Sequence, residues 1–313
     1  MGTMVGHVAP GLGFLIIGLW HLFNNTKIHA LKPNSSFKSS PWFEFKFLRY
    51  LELYLIIFGT SLSISMELFI GPEKHQPLDP DWTIPSNHLH NFEHASISLS
   101  LLIYAIVAII LNKIRPKAHE GLTLFFAALA FSQQLFLFHL HSSDHMGVEG
   151  QYHLLLQSAI VVCLATTLMG IGLPNNFLVS FVRSLSIVFQ GVWLILMGIM
   201  LWTPSLISKG CFMNLEEGHY VVRCEGEHAL HRAKSLVNIQ FSWFLSGLSI
   251  FALVFYIFVV KVYGQKVEYL SLESKEVNLD DEFEDLEMQV KGLGESHSFI
   301  QIKKGMPPID MER

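Results

Sequence analysis

The sequence predicts an all-α, polytopic membrane protein built as a bundle of seven transmembrane helices. Charged residues make up 15% of the 313-residue chain and hydrophobic residues 51%, whereas soluble domains carry about 25% charged residues. The apolar residues also form long runs, and a helix needs about 20 mostly apolar residues to cross the hydrocarbon core. Seven segments are candidates for such helices: residues 8–23, 47–70, 90–111, 122–140, 153–173, 177–202 and 236–262.

Local features support several of these segments. The first is short and contains Gly11, Gly13 and Gly18, and small residues allow membrane helices to pack closely. The fifth and sixth segments are separated by four residues that include Pro174, which cannot continue a helix. We therefore predict a tight reversal between them.

The chain divides into a transmembrane domain over residues 1–263 and a polar tail over residues 264–313. The tail carries an acidic run at residues 280–285 and has too few apolar residues to form a core, so we predict that it is disordered. It begins with Tyr269-Leu270-Ser271-Leu272, which has the form of a tyrosine-based sorting signal. This motif predicts a sorting adaptor as a partner.

Lysine and arginine predict the orientation, because cytoplasmic loops are enriched in both. Nine lie in or beside the odd-numbered loops: Lys27, Lys32, Lys38, Lys46, Arg49, Lys113, Arg115, Lys117 and Arg183. Five lie in the even-numbered loops: Lys74, Lys209, Arg223, Arg232 and Lys234. The asymmetry predicts an exoplasmic N-terminus and a cytosolic tail. Without a broad basic face, nucleic acid is not an expected partner.

Histidines cluster at the predicted exoplasmic end. Twelve of the 16 fall there: His7, His75, His88, His90, His94, His139, His141, His145, His153, His219, His228 and His231. Ionisable groups at membrane depth are costly and usually functional, and imidazole with carboxylate suits zinc or another divalent transition metal. The predicted ligands are Glu67, His94, His139, His141 and His153. His139 and His141 can both serve only if their helix ends near Leu140, because residues two apart point about 200° apart.

Loop six carries Cys211 and Cys224, which the predicted orientation places in an oxidising space. We predict that they form a disulfide; two free thiols are the alternative.

The sequence resembles the transmembrane protein 45 family, a multi-pass membrane family without an established biochemical activity, and looks like a plant-type member. The matching residues are Gly6-His7, Pro10-Gly11, Gly18-Leu19-Trp20, Glu67, Phe69-Ile70, His75, His94, Phe138-His139-Leu140-His141, His153-Leu154-Leu155, Arg183-Ser184, Gln190-Gly191 and Trp193. The resemblance implies a location in the endomembrane system (Golgi or endosome) or the plasma membrane.

Three functions fit these observations. The first is a membrane protein that holds a metal in a histidine-rich site near its exoplasmic surface. The second is a metal-dependent lipid hydrolase, similar in architecture to alkaline ceramidases and adiponectin-type receptors, in which a metal activates water; Glu67, Asp144 or Glu149 would act as base on a lipid substrate. The third is a membrane scaffold or trafficking protein without metal. A transporter would need polar groups near the bilayer midplane, whereas these lie toward one end.

Overall fold

The computed structural model of the protein describes residues 3–31, 37–72, 75–140, 147–216 and 219–297, with the backbone alone for residue 219 and residues 265–297. The long helices are α1 Met4–Leu31, α2 Leu51–Ser65, α3 Leu89–Ile114, α4 His119–Leu140, α5 Gly147–Gly172, α6 Phe177–Trp202 and α7 Glu227–His297. Short turns of helix cover Met66–Ile70, Ser86–His88 and Pro204–Leu206, and two strands, β1 and β2, cover Cys211–Glu216 and His219–Cys224.

Seven helices in this described part are long and apolar enough to cross a membrane. The predicted number of spans is therefore confirmed, although the helices extend beyond the apolar runs. The α1 helix continues through Asn25 and Thr26, and α5 begins six residues before His153. Both extensions carry polar side chains that are buried against neighbouring helices. Tertiary contacts therefore stabilise these helical turns, although the apolar runs used for the prediction do not include them.

Loop six departs from the all-α prediction, because β1 and β2 pair as an antiparallel hairpin. Cys211 lies opposite Cys224 in this register, and the two form the predicted disulfide. Val222 of β2 is buried in the same apolar cluster as Val148 and Tyr152 of α5. The crosslink and this apolar contact explain why a short hairpin forms among helices and why it lies over the start of α5.

The α1 and α6 helices approach each other so closely that only glycine fits at several positions. A Cβ on Gly11 would lie 2.9 Å from the carbonyl oxygen of Gly191, and one on Gly18 would lie 2.6 Å from the backbone nitrogen of Val188. A Cβ on Gly191 would contact the backbone nitrogen of Leu15. These contacts explain Gly11 and Gly18 of the first segment, since backbones that approach this closely leave no room for side chains.

The interior of the bundle combines a large apolar cluster with polar pairs. Trp193 of α6 is fully buried, and its Nε1 donates to the carbonyl oxygen of Tyr152 at 3.0 Å. Toward the loop-one side, Glu52 of α2 accepts from the backbone N–H of Phe43 at 2.9 Å and lies 2.7 Å from His21 Nε2 of α1. Because water is excluded there, these polar groups are stabilised by each other.

The chain divides into two units, Met1–Val260 and Lys261–Arg313. The backbone of α7 is helical to His297, and the disorder predicted from Gly264 onward stays a prediction. Residues 265–291 contain neither glycine nor proline and are rich in Glu, Leu and Lys, which favour helix. The side chains of the sorting motif at residues 269–272 lie outside the described part. The sorting adaptor, the domain boundary and the cytosolic location of the tail stay predictions, as does the membrane orientation.

Candidate metal centre

Three side chains with metal-ligating atoms meet between the first turns of α1 and α5. They are His7 of α1 and Glu149 and His153 of α5, and one ligand atom from each lies within 4.8 Å of the other two. All three side chains are buried, with exposed fractions of 6%, 8% and 3%. Among the residues that the structure describes, no other group of three meets this distance limit.

Helix geometry brings the three together. Glu149 and His153 are four residues apart, so they share one face of α5. The third residue, His7, is positioned by the contact of α1 with α6, where a Cβ on Gly198 would lie 3.1 Å from the Cβ of His7. Glycine at position 198 therefore lets α6 approach the helix turn that carries His7.

Two neighbouring groups orient the imidazole of His7. Its Nδ1 lies 3.0 Å from the carbonyl oxygen of Thr3, and a carbonyl oxygen can only accept, so Nδ1 carries the proton. In the neutral ring the lone pair then lies on Nε2, which is the tautomer that metal-binding histidines commonly use. The ring also stacks on Trp202, with centroids 4.7 Å apart and planes inclined by 25°.

His153 is held between aromatic rings. Phe138 of α4 stacks on it with centroids 5.4 Å apart and an interplanar angle of 29°. The imidazole of His7 lies on another side, with centroids 5.7 Å apart. This packing restricts rotation of the His153 ring and keeps it beside His7.

The β-hairpin adds a positive charge near the site. Arg223 of β2 donates from Nε to Glu216 Oε1 at 2.8 Å. The pKa of Arg223 is raised above its ordinary value, first by this hydrogen bond and then by the negative charges of Glu216 and Glu149. Arg223 therefore places a positive charge in the neighbourhood of Glu149.

A family match covers the part of the site that lies on α5. Residues 120–257 match the Family of unknown function (DUF716). It is the family to which proteins like transmembrane protein 45 correspond, so the resemblance drawn from the sequence is supported at that level. The assignment as a plant-type member stays a prediction.

The DUF716 region begins at Glu120 in the first turn of α4 and ends at Ile257 in α7. It therefore contains Glu149, His153 and the disulfide hairpin. His7, Glu67 and His94 lie outside it. The family match covers less than half of the chain and carries no biochemical activity with it.

The residues predicted as ligands from the sequence fall into separate surroundings. His94 Nδ1 of α3 lies 3.6 Å from Glu67 Oε1, an ion-pair distance. His139 Nδ1 donates to Gln157 Oε1 at 3.2 Å. His153 belongs to the group with His7 and Glu149, and His141 lies outside the described residues.

A distortion of α2 positions Glu67. The helix changes at Met66–Ile70 to the wider π form, which is found preferentially at functional sites. Glu67 Oε2 accepts from Asn91 Nδ2 at 2.9 Å. A Cβ on Gly71 would lie 2.9 Å from that same amide nitrogen, so glycine at this position makes room for the Asn91 side chain.

Sequence reasoning missed His7 and Glu149 as ligands, although signals for both were present. His7 lies within a dipeptide that carries the family resemblance and falls at the histidine-rich end. Glu149 is one helical turn before His153. The apolar run on which the fifth segment was drawn begins only at His153, so Glu149 was assigned to the preceding loop. The register that brings α1 to α5 depends on tertiary packing.

Proposed function

We propose that this multi-pass membrane protein binds a divalent transition metal, zinc by preference, through His7, Glu149 and His153. The observation that carries the proposal is the convergence of these three buried side chains, whose ligand atoms lie within 4.8 Å of one another. Two imidazoles and a carboxylate are a common ligand set for zinc.

The geometry is compatible with a metal after small movements. Zinc holds imidazole nitrogen at about 2.0–2.1 Å, so neighbouring ligand atoms in a tetrahedral site lie about 3.3 Å apart. The ligand atoms already lie within 4.8 Å of one another, and changes in side-chain torsions would bring them to this spacing. The hydrogen bond from His7 Nδ1 to Thr3 already supports the tautomer that such a site uses.

Burial supplies the energetic argument. Ionisable side chains inside a membrane protein are rare and commonly mark functional sites. Two imidazoles and one carboxylate in contact would share a single cation, which neutralises the carboxylate and uses a lone pair from each ring. A structural or sensory metal site of this kind requires no substrate.

The number of protein ligands favours a second candidate, a metal-dependent lipid hydrolase. Structural zinc sites use four protein ligands, whereas catalytic sites use three and keep one position for water. A metal with three protein ligands lowers the pKa of the water bound at its fourth position, and this water becomes a nucleophile. In this reading Glu149 is a ligand and cannot also be the base. Glu67 is engaged with Asn91 and His94, and Asp144 lies outside the described residues.

Metal analysis of purified full-length protein tests the first proposal. We expect about one zinc per chain, lost in His7→Ala and His153→Ala. His94→Ala and His139→Ala are the matched controls, because each removes a histidine from the same region but outside the group of three; both should retain the metal. Wild-type protein without stoichiometric metal, or His153→Ala protein that retains it, would overturn the proposal.

Folding and binding can be separated in the same preparation. Added zinc should raise the unfolding temperature of protein that has been stripped by a chelator. At a free zinc concentration 100 times the dissociation constant, the expected gain in stability is about 2.7 kcal/mol. The His153→Ala variant should show no such response even if it remains folded. Release of fatty acid from membrane lipids that requires both zinc and His153 would favour the hydrolase, whereas metal binding without release would leave a structural or sensory site.

We also propose an integral location in the endomembrane system or plasma membrane, with the metal site at the exoplasmic end. The scaffold alternative without metal is the outcome if wild-type protein contains none. A sorting adaptor that binds residues 269–272 is compatible with either function.

A further inference from the structure

A cavity of about 250 Å³ opens at the end of the described bundle opposite the candidate metal centre. It lies where α3 ends at Ile114, α4 begins at His119, and the segment before α2 crosses them. Loops one and three, which are rich in lysine and arginine, meet at this end. The residues that matter for its chemistry are Glu44, Arg49, Asn112, Arg115, His119 and Glu120.

The charges around this cavity are unbalanced. Both of its carboxylates already have cationic partners: Glu44 Oε1 lies 2.7 Å from Arg49 Nη2, and Glu120 Oε2 lies 2.6 Å from Lys38 Nζ. Arg115 has no ion pair among the described residues. Two arginines and one lysine therefore face two carboxylates, and Arg115 is the cation that remains for a ligand.

Backbone geometry holds Arg115 at the rim of the cavity. Arg115 caps the C-terminal end of α3 with φ of 51°, in the left-handed region, and its N–H donates to the carbonyl oxygen of Leu111 at 2.8 Å. Pro116 follows and prevents further helix. The chain then turns to His119, whose Nδ1 donates to the carbonyl oxygen of Pro116 at 3.0 Å, leaving Nε2 to contact a ligand.

A neutral donor completes the set. Asn112 Oδ1 accepts from Tyr50 Oη at 3.0 Å, which fixes the amide so that its NH₂ group is available. Guanidinium forks and amide N–H groups match the oxygens of a phosphate in charge and geometry. A carboxylate ligand would use the same donors, but fewer of them.

We propose that this cavity binds a phosphate monoester group. Basic pockets between membrane helices commonly hold phosphate headgroups, and this one lies where the ends of three helices that are apolar enough to span a membrane meet. Phe47, Leu48 and Phe45 are exposed on the segment that leads into α2, with Phe47 85% exposed. These side chains offer apolar contact for acyl chains, which favours a phospholipid such as phosphatidic acid over free phosphate as the source.

The proposed phosphate site can be tested by equilibrium binding of fluorescent phosphatidic acid to the full-length protein. The measurement is made in dodecyl maltoside micelles, which contain no phosphate. Arg115→Asn removes the cation but keeps a residue that tolerates left-handed backbone; we expect affinity to fall about tenfold or more. Glu120→Gln releases Lys38 and removes a negative charge, so it should bind more tightly. Arg232→Gln changes a surface charge at the hairpin end and should leave affinity unchanged.

Competition identifies the source of the phosphate. Displacement of the probe by unlabelled phosphatidic acid, with little effect of inorganic phosphate or phosphatidylcholine, would assign the site to a lipid. Displacement by inorganic phosphate at concentrations similar to those of the lipid would assign it to a soluble phosphate. Unchanged affinity in both Arg115→Asn and Glu120→Gln, or an equal loss in Arg232→Gln, would overturn the proposal. Gel filtration and thermal unfolding verify that each variant is folded.

Discussion

Replacing Gly191 with alanine is expected to force α1 away from α6. A Cβ at this position would contact the backbone nitrogen of Leu15 and would lie 2.7 Å from the carbonyl oxygen of Gly11 and 2.8 Å from the Cα of Leu15. All of these atoms belong to the backbone of α1, so no side-chain rotation can relieve the contact. The same movement would displace His7, which lies on α1 and supplies one of the three candidate ligands.

The magnitude follows from two opposing terms. Overpacking a well-filled contact costs about 1–3 kcal/mol, and rigid backbone atoms place this case near about 3 kcal/mol. Alanine is a better helix former than glycine by about 1 kcal/mol, which offsets part of that cost. A net loss of about 2 kcal/mol is therefore expected for Gly191→Ala.

Gly13→Ala is the matched control. It is the same substitution, in α1 itself, but a Cβ at Gly13 meets nothing within 4 Å. Only the helix-propensity term remains, so Gly13→Ala should be neutral or stabilising by up to about 1 kcal/mol.

Unfolding of the purified variants in one detergent, followed by tryptophan fluorescence or loss of the monodisperse gel-filtration peak, measures the difference. Gly191→Ala should unfold at lower temperature than wild type, and Gly13→Ala should not. If the two variants unfold at the same temperature, the close α1–α6 contact is wrong. Zinc bound to Gly191→Ala protein should also fall if the displacement reaches His7.

Three further predictions concern other parts of the chain. Glu52→Ala removes the buried partner of His21 and should cost about 3 kcal/mol or more, measured by thermal unfolding against Glu225→Ala on the surface; equal stability of the two variants would argue against the pair. Reduction of Cys211–Cys224, or replacement of both by serine, should lower stability by about 3 kcal/mol in a chain-entropy account, and two alkylatable thiols in native protein would contradict the crosslink. Protease treatment of sealed, cytosol-out vesicles should remove a C-terminal tag and spare an N-terminal one, and the reverse pattern would invert the proposed orientation.

Much of the fold could be predicted from the sequence, for reasons that are local. Long apolar runs are required of any membrane-spanning helix, so the seven spans follow from composition alone. Glycines in the first segment predicted close packing, and Gly11 and Gly18 indeed lie against α6. The Cys211–Cys224 disulfide follows from two cysteines in one loop. The β-hairpin was missed because a pair of six-residue strands produces a weak pattern beside long helices.

The candidate site was only partly predictable, because its residues come from distant parts of the chain. His153 was identified from the abundance of histidine at one end. His7 and Glu149 required knowledge of which helices are neighbours and how they are rotated, and neither is encoded in spacing along the chain. Glu67 and His94, predicted with His153, instead lie together as a separate pair next to Asn91.

The sequence by itself determined that this chain spans a membrane with seven helices, that its histidines gather at one end and that two cysteines can join. These properties depend on composition and on periodic or local relations, which survive without tertiary contacts. The tertiary structure decided that α1 lies against α6, that Glu149 belongs to a helix, and that His7 meets Glu149 and His153. The physical reason is that close packing through Gly11, Gly18, Gly191 and Gly198 fixes the depth and rotation of α1 in the bundle.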